Sequence, residues 1–169
     1  MIIETKIIEK PAFSVIGITE TIHFDPSLPP SQNSIAKLWS RFSERIDEIP
    51  GILGSRSIGL ILQHPDNSPN KPFDYTAAAQ IYRDGDIPEG MCRIEVPAAR
   101  YIVLTHRGRL DDIGSTFRHF WGEWLPNSSY VYDGGTSTGK YEFEFYDQRY
   151  THPDDPHSEI DLYFPIRAK

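Results

Sequence analysis

Hydrophobic and polar residues in the first half of the chain follow patterns that predict a strand, a helix and two further strands. Residues 13–19 form a short β-rich run, and pairs of isoleucines before it predict a lead-in strand. Apolar residues then recur at helical spacing in a segment that Ser31 can cap and that ends before Pro50, namely Ile35, Leu38, Trp39, Phe42 and Ile46. Residues 58–62 and 75–82 are predicted strands, separated by a loop rich in proline, asparagine and aspartate.

The same order of elements is predicted again in the second half of the chain. Residues 101–105 form a β-rich run, and Asp111 or Asp112 can cap the helix that follows. The apolar face of that helix carries Ile113, Phe117, Phe120, Trp121 and Trp124. Polar and apolar residues alternate in 141–146 and 160–166, as they do in half-buried strands.

This repetition predicts a single domain, residues 1–169, made of two strand-helix-strand-strand modules. The first module covers about residues 1–84 and the second about residues 93–169. Because a sheet face and a helix stripe must each bury an apolar surface, we expect an α+β fold with an antiparallel sheet and both helices on one face. The duplication predicts internal pseudo-twofold symmetry and a central ligand cleft, since ligands favour crevices between modules.

Composition excludes several classes of protein. The chain has 169 residues, a net charge of −7 and no segment that concentrates lysine and arginine, so it lacks the cationic surface that nucleic-acid binding needs. No apolar run approaches the ~20 residues of a membrane span, and we expect no membrane partner. The N-terminus does not resemble a secretory signal and Cys92 is the only cysteine, which predicts a cytoplasmic protein.

The strand at residues 141–146 carries our best candidate for binding a ligand. Because strand side chains alternate, Glu142, Glu144 and Tyr146 share one face. One interpretation is a solvent-exposed face, since ionised glutamate is rarely buried without a partner. The other places Glu144 at the bottom of an aromatic pocket, opposite a helix face with Trp121, where it would bind a cation and have a raised pKa. The pattern leaves both interpretations open.

Three other motifs are better explained by structure than by chemistry. Residues 134–140 approach a phosphate-binding P-loop, but Tyr141 replaces the magnesium-binding hydroxyl and a strand follows instead of a helix. The histidines and aspartates in residues 152–157 lie in a proline-punctuated turn, and we expect neither a metal nor another cofactor. Cys92 has no nearby histidine or basic helix start in the sequence, which favours an inert thiol.

A series of ordered motifs covers most of the second half. They are Val-Pro-Ala-Ala-Arg-Tyr-Ile-Val-Leu-Thr-His-Arg-Gly at 96–108 and the segments 112–117, 121–126, 143–147 and 154–166. Together they resemble the GyrI-like small-molecule-binding family, which includes effector-binding domains of AraC- and MerR-type multidrug regulators. The first half matches mainly in the order of its elements and in Phe73-Asp74-Tyr75. The resemblance implies two strand-helix-strand-strand modules with a ligand cleft between them.

The resemblance also implies roles for particular residues. In multidrug-regulator members a buried glutamate meets lipophilic cations, and Glu144 best matches that position. The face on which each residue is predicted to lie adds an aromatic lining made up of Trp39, Tyr75, Trp121 and Tyr146, and Tyr163 is a further candidate for binding the ligand. Some stand-alone members resemble hydrolases of strained electrophiles, for which Glu144 would activate water and Tyr146 or Tyr163 would donate a hydrogen bond.

Three functions follow as hypotheses. The leading one is binding of a hydrophobic, aromatic or cationic small molecule, for sensing or sequestering, because the sequence shows no helix-turn-helix or basic segment that would read DNA. The first alternative is a small-molecule hydrolase with Glu144 as general base. The second is a gyrase-inhibitor-like module, in which an acidic surface mimics nucleic acid toward a basic protein partner.

Overall fold

The computed structural model describes residues 1–23, 25, 27–29, 32–64 and 72–169. Its strands are β1 (Ile2–Lys10), β2 (Phe13–Ile22), β3 (Ile52–Leu62), β4 (Phe73–Ile81), β5 (Cys92–Val96), β6 (Ala99–Arg107), β7 (Tyr130–Tyr132), β8 (Glu142–Tyr146) and β9 (Glu159–Ala168). Its helices are α1 (Ser34–Arg45), α2 (Gly114–His119) and α3 (Leu125–Asn127), with a π-helical segment Phe120–Trp124 between the last two. None of the described helices has the length and apolar character of a membrane-spanning helix.

One antiparallel sheet carries the fold. Its strands follow the order β1-β6-β9-β8-β3-β4-β2-β5, and β7 pairs with one end of β9. The two halves of the chain meet where β3 pairs with β8, and Gly59 lies opposite Glu144 at this junction. Going outward from the junction, β3-β4-β2 on one side corresponds to β8-β9-β6 on the other. This order is the one that two copies of a strand-helix-strand-strand module produce when a twofold axis relates them.

Each half contributes its leading strand to the other half. β1 precedes β2 along the chain but pairs with β6, whereas β5 precedes β6 but pairs with β2. Each connection has only two residues: Pro11-Ala12 joins β1 to β2, and Pro97-Ala98 joins β5 to β6. Lys10, at one edge of the sheet, is therefore close in sequence to Phe13, near the other edge. The sheet must therefore curve until its ends approach, and the Lys10 ammonium lies 4.8 Å from the centre of the Phe13 ring.

The sheet face without helices closes on itself because of this curvature. Phe13 of β2 packs edge to face on Phe143 of β8 with 5.5 Å between ring centroids, and Tyr101 of β6 does the same at 5.3 Å. Neither β2 nor β6 is adjacent to β8 in the sheet. These contacts form a core that needs no covering helix, and Val15, Ile58 and Val103 are fully buried in it.

The opposite face is covered by the helices, as predicted. Leu38 and Phe42 of α1 are buried against β2 and β4. Phe120, at the start of the π-helical segment, stacks on Phe164 of β9 with 3.9 Å between ring centroids. Phe117 of α2 packs against both of these buried groups, the one that contains Leu38 and Phe42 and the one that contains Phe120 and Phe164. Both helices therefore lie on one face of an α+β antiparallel sheet.

The helix starts differ from the sequence prediction. The Oδ1 atom of Asn33 accepts the backbone N–H groups of Ile35 and Ala36 at 3.0 and 3.2 Å and caps α1. The predicted cap, Ser31, lies outside the described residues, as does nearly all of the predicted loop after β3. The predicted caps Asp111 and Asp112 are wrong, since both belong to a 3-10 turn that runs directly into α2 through Ile113.

Two strands, β5 and β7, were not predicted. β7 has three residues and pairs only at the end of β9. β5 is an edge strand that alternates between exposed and half-buried positions up to the buried Val96. Their short apolar patterns are too weak to identify without the strand that each one pairs with.

Candidate ligand-binding site

Glu144 in β8 is buried, and two tyrosines hydrogen-bond to the same carboxylate oxygen. Only 8% of Glu144 is exposed. Its Oε1 atom accepts the hydroxyl of Tyr75 at 2.5 Å and the hydroxyl of Tyr146 at 3.2 Å. Tyr75 belongs to β4, so its ring reaches across β3 to meet the carboxylate. The interpretation of this strand face as solvent-exposed is therefore wrong at Glu144.

The absence of a side chain at Gly59 makes room for this contact. Gly59 of β3 pairs with Glu144 on one side and with Ala77 of β4 on the other. A Cβ atom at residue 59 would lie 2.1 Å from the Tyr75 hydroxyl and 2.6 Å from Oε1 of Glu144. Gly59 is not among the residues predicted from the sequence, although an isolated glycine inside a strand is a known sign of close approach between chain segments.

Trp39 of α1 completes a chain of hydrogen bonds above the sheet. Its indole Nε1–H donates to the Tyr75 hydroxyl at 2.8 Å, and Tyr75 donates in turn to Glu144. The Trp39 ring also meets the Tyr146 ring edge to face, with 5.6 Å between centroids. The structure thus brings together four of the six site residues predicted from the sequence: Trp39, Tyr75, Glu144 and Tyr146.

A cleft of about 530 Å³ opens beside these groups. Its wall includes Trp39, Ser40 and Ser43 of α1, Tyr146 of β8 and Tyr150 in the loop after β8. Leu110 and Pro153 also line it. The carboxylate of Glu144 is not part of the wall, but the wall residue Tyr146 donates a hydrogen bond to it, and Trp39 donates to its other partner, Tyr75. The sequence analysis missed Tyr150, Leu110 and Pro153 because they lie in turns, where no periodicity indicates which way a side chain points.

Burial determines the electrostatics of the site. It raises the pKa of Glu144, and the hydrogen bonds from Tyr75 and Tyr146 act in the opposite direction because they stabilise the ionised form. The pKa values of both tyrosines are raised well above the usual value, first by burial and then by the negative charge of Glu144. No lysine or arginine forms an ion pair with Glu144 among the residues that the structure describes. The carboxylate therefore lacks a positively charged partner from this part of the chain.

Glu142, two residues earlier in β8, is buried in a separate environment. Only 2% of it is exposed, and its Oε1 atom accepts hydrogen bonds from Nε2 of Gln63 at 3.0 Å and from the hydroxyl of Tyr132 at 2.9 Å. Burial raises the pKa of Glu142 to about 7. The two hydrogen bonds lower this pKa, and the negative charge of Glu144 raises it further. Glu142 does not line the cleft. The predicted shared face is confirmed, but the two carboxylates have different partners.

Trp121 does not lie at the cleft, and its assignment to the pocket is wrong. It packs on Tyr132 and Phe120 with ring centroids 4.7 and 4.9 Å apart, and 38% of it is exposed. The chain is π-helical from Phe120 to Trp124, so the side chains here depart from the 3.6-residue spacing on which the prediction rested.

Tyr163 also lies away from Glu144, so its assignment as a binding or hydrogen-bonding residue of this site is wrong. It pairs with Phe143 in the register of β8 and β9, whereas Glu144 pairs with Leu162. Tyr163 therefore projects from the opposite face of the sheet, where its ring stacks on Phe143 with 4.3 Å between centroids.

Comparison with known proteins identifies relatives over nearly the whole chain. The sequence model described as "GyrI-like small molecule binding domain" matches residues 3–167. The chain is 36% identical over 162 residues to the transcriptional regulator BrlR of Pseudomonas aeruginosa. That alignment covers 95% of this chain and 54% of BrlR, so the chain spans about half the length of this relative.

Two solved structures have the same fold. The C-terminal domain of EcmrR superposes with a TM-score of 0.74 at 15% identity, covering 98% of each chain. SAV2435 bound to tetraphenylphosphonium superposes with a TM-score of 0.69 at 16% identity, covering 98% of this chain and 94% of that one. At these identities the two likenesses show the architecture of the sheet and helices and no more.

We predict that Gly59→Ala destabilises the protein by about 1–3 kcal/mol, because the added Cβ must push Tyr75 and Glu144 apart. The measurement is urea unfolding followed by tryptophan fluorescence. Gly122→Ala is the matched control, since a Cβ there meets nothing within 4 Å. Equal destabilisation by the two substitutions would contradict the close approach at Gly59.

We also predict that buried Glu142 makes the protein less stable as the pH rises from 4.5 to about 7. In this window the unfolded chain releases the Glu142 proton while the folded protein keeps it, so the stability present below pH 4.5 is lost as the pH passes through the folded pKa. Glu142→Gln removes this loss, which is on the order of 3 kcal/mol for a shift of this size. Urea unfolding of both proteins at several pH values measures the difference. A constant difference between them across the window would refute the prediction.

Proposed function

Because the chain belongs to the GyrI-like small-molecule binding domain family, we propose that its cleft receives a hydrophobic cation whose charge is balanced by Glu144. The observation that carries this proposal is a buried carboxylate with two tyrosine partners and no ion-pair partner among the described residues. Burying an ionised carboxylate without a compensating positive charge is costly. A cationic ligand would supply that charge.

The aromatic residues around the carboxylate favour a cation with its charge spread over a large apolar body. Trp39 and Tyr146 present rings to the cleft, and Tyr150 packs on Tyr146 with 5.0 Å between centroids. Ring faces attract cations by roughly 0.5–2 kcal/mol each, and they also bury apolar surface of the ligand. A small, strongly hydrated cation would lose its water shell without gaining comparable contacts.

Access to the carboxylate requires movement of a side chain. Glu144 is buried and does not line the cleft, whereas Tyr146, which bonds to Glu144, and Trp39, which bonds to Tyr75, both do. A ligand that reaches Glu144 must therefore displace at least one of these rings. Side-chain rotations of this kind at a binding site are common even where the backbone moves little.

We assign ligand binding, rather than contact with DNA, to this part of the protein. Both α1 and the helical region from α2 to α3 pack against the sheet, and the net charge of −7 disfavours binding to phosphates. The role that we propose for the domain is therefore sensing or sequestering of a ligand. Sensing agrees with two of its relatives, since BrlR is by name a transcriptional regulator and EcmrR is solved in a complex with DNA.

We predict that Glu144→Gln weakens binding of tetraphenylphosphonium at least about tenfold, or about 1.4 kcal/mol, because glutamine keeps the shape but removes the charge. Binding of triphenylphosphine oxide, a neutral aryl compound, should change much less. Tryptophan fluorescence and calorimetry measure both affinities. The matched control is Glu142→Gln, which removes a buried carboxylate from the same strand face but away from the cleft. Equal loss for the charged and the neutral compound would argue against electrostatic recognition.

A hydrolase is a second candidate, favoured by the raised pKa of Glu144 and the two tyrosine hydroxyls beside it. A carboxylate whose pKa is raised toward neutrality can act as a general base, with Tyr146 as the hydrogen-bond donor. Mass spectrometry after incubation with strained electrophiles, such as aryl epoxides, tests this candidate. Addition of water that is lost in Glu144→Gln would support it, and unaltered compounds in every case would leave binding as the function.

A further inference from the structure

Strand β1 presents an unpaired backbone edge to solvent. It is the outermost strand at its end of the sheet, and β6 is its hydrogen-bonded neighbour among the strands that the structure describes. Its side chains are largely exposed, including two large apolar ones, Ile3 at 42% and Ile7 at 43%. Long exposed edges with apolar side chains are sites where another strand pairs.

The register shows which backbone groups of β1 point outward. Tyr101 of β6 lies opposite Pro165 of β9, which has no N–H and whose oxygen accepts the backbone N–H of Asp133. The backbone groups of Tyr101 therefore point toward β1, where they pair with Ile8. Backbone groups of successive strand residues point to opposite sides, so those of Ile8 and Lys6 point toward β6. The N–H and C=O groups of Thr5 and Ile7 therefore point away from β6, toward solvent.

The sequence of β1 is complementary to itself about Thr5. Residues 2–8 have the sequence Ile-Ile-Glu-Thr-Lys-Ile-Ile, which is symmetric in apolar character and opposite in charge on either side of Thr5. If two copies pair antiparallel with Thr5 opposite Thr5, Glu4 meets Lys6 of the second copy on either side of Thr5. Both residues lie in the part of β1 that pairs regularly with β6, whereas the register shifts between Ile2 and Glu4. Opposite charges that face each other across a strand pair stabilise a sheet, and a shift of one residue would lose the match.

We propose that two copies of this chain associate through β1, forming one continuous sheet with a twofold axis at Thr5. The outward N–H of each Thr5 then donates to the C=O of Thr5 in the other copy, so backbone geometry and side-chain complementarity select the same register. β1 is separated from β8 by β6 and β9, so Glu144 does not lie at the proposed interface. The association can therefore be tested without the proposed ligand.

Analytical ultracentrifugation over a concentration series into the millimolar range tests the association. The mass should rise with concentration from 19.4 kDa toward twice that value. Thr5→Pro should abolish the increase, because proline removes the outward N–H while the bonds to β6 come from the neighbouring residues. Thr5→Val keeps the N–H and a β-branched side chain, and it should still dimerise. Unchanged near-ultraviolet dichroism would show that each variant is folded.

A charge reversal tests the register itself. Lys6→Glu places two negative charges opposite each other at each end of the pair and should weaken dimerisation at least about tenfold. The double substitution Glu4→Lys with Lys6→Glu restores opposite charges and should restore the dimer. A protein that stays monomeric throughout, a dimer that survives Thr5→Pro, or a double variant as weak as Lys6→Glu would each overturn the proposal.

Discussion

The candidate site depends on one close approach: a carboxylate from the second half of the chain and a tyrosine from the first half meet across a strand position without a side chain. Gly59 separates Tyr75 and Glu144 in the sheet, and any larger residue would occupy the space of their hydrogen bond. Trp39 then adds a donor from α1. The site therefore exists only when both halves are paired in this register.

The cost of burying charge connects this geometry to function. Glu142 and Glu144 lie two residues apart on the same face, and burial raises the pKa of each. Glu142 is held by Gln63 and Tyr132 away from the cleft, which makes it a structural group that opposes folding once ionised. Glu144 is bonded to Tyr146 at the wall of a cleft, where the proposed cationic ligand would offset the cost of its charge.

The exchange of leading strands determines the curvature of the sheet and which strands lie at its edges. Because β1 and β5 each extend the other half of the sheet, the sheet curves and buries one face through contacts such as Phe13 with Phe143. That face needs no helix, and both helices are left to frame the opposite one. The same exchange places β1 at an outer edge, separated from β8 and Glu144 by β6 and β9, so the proposed self-association does not involve Glu144.

The sequence by itself determined the local periodicity and, through the motifs it shares with a family, the architecture. Alternation placed Glu144 and Tyr146 on one face, and helical spacing placed Trp39 on the buried side of α1. The sequence did not determine which residues meet. Tyr163 alternates like its neighbours, and only its pairing with Phe143 shows that it lies on the face opposite Glu144. Trp121 lies away from the cleft because the helix is π-helical from Phe120 to Trp124. Strand register, sheet curvature and the space at Gly59 are long-range properties, since each depends on segments distant in sequence packing together, and the tertiary structure alone decided them.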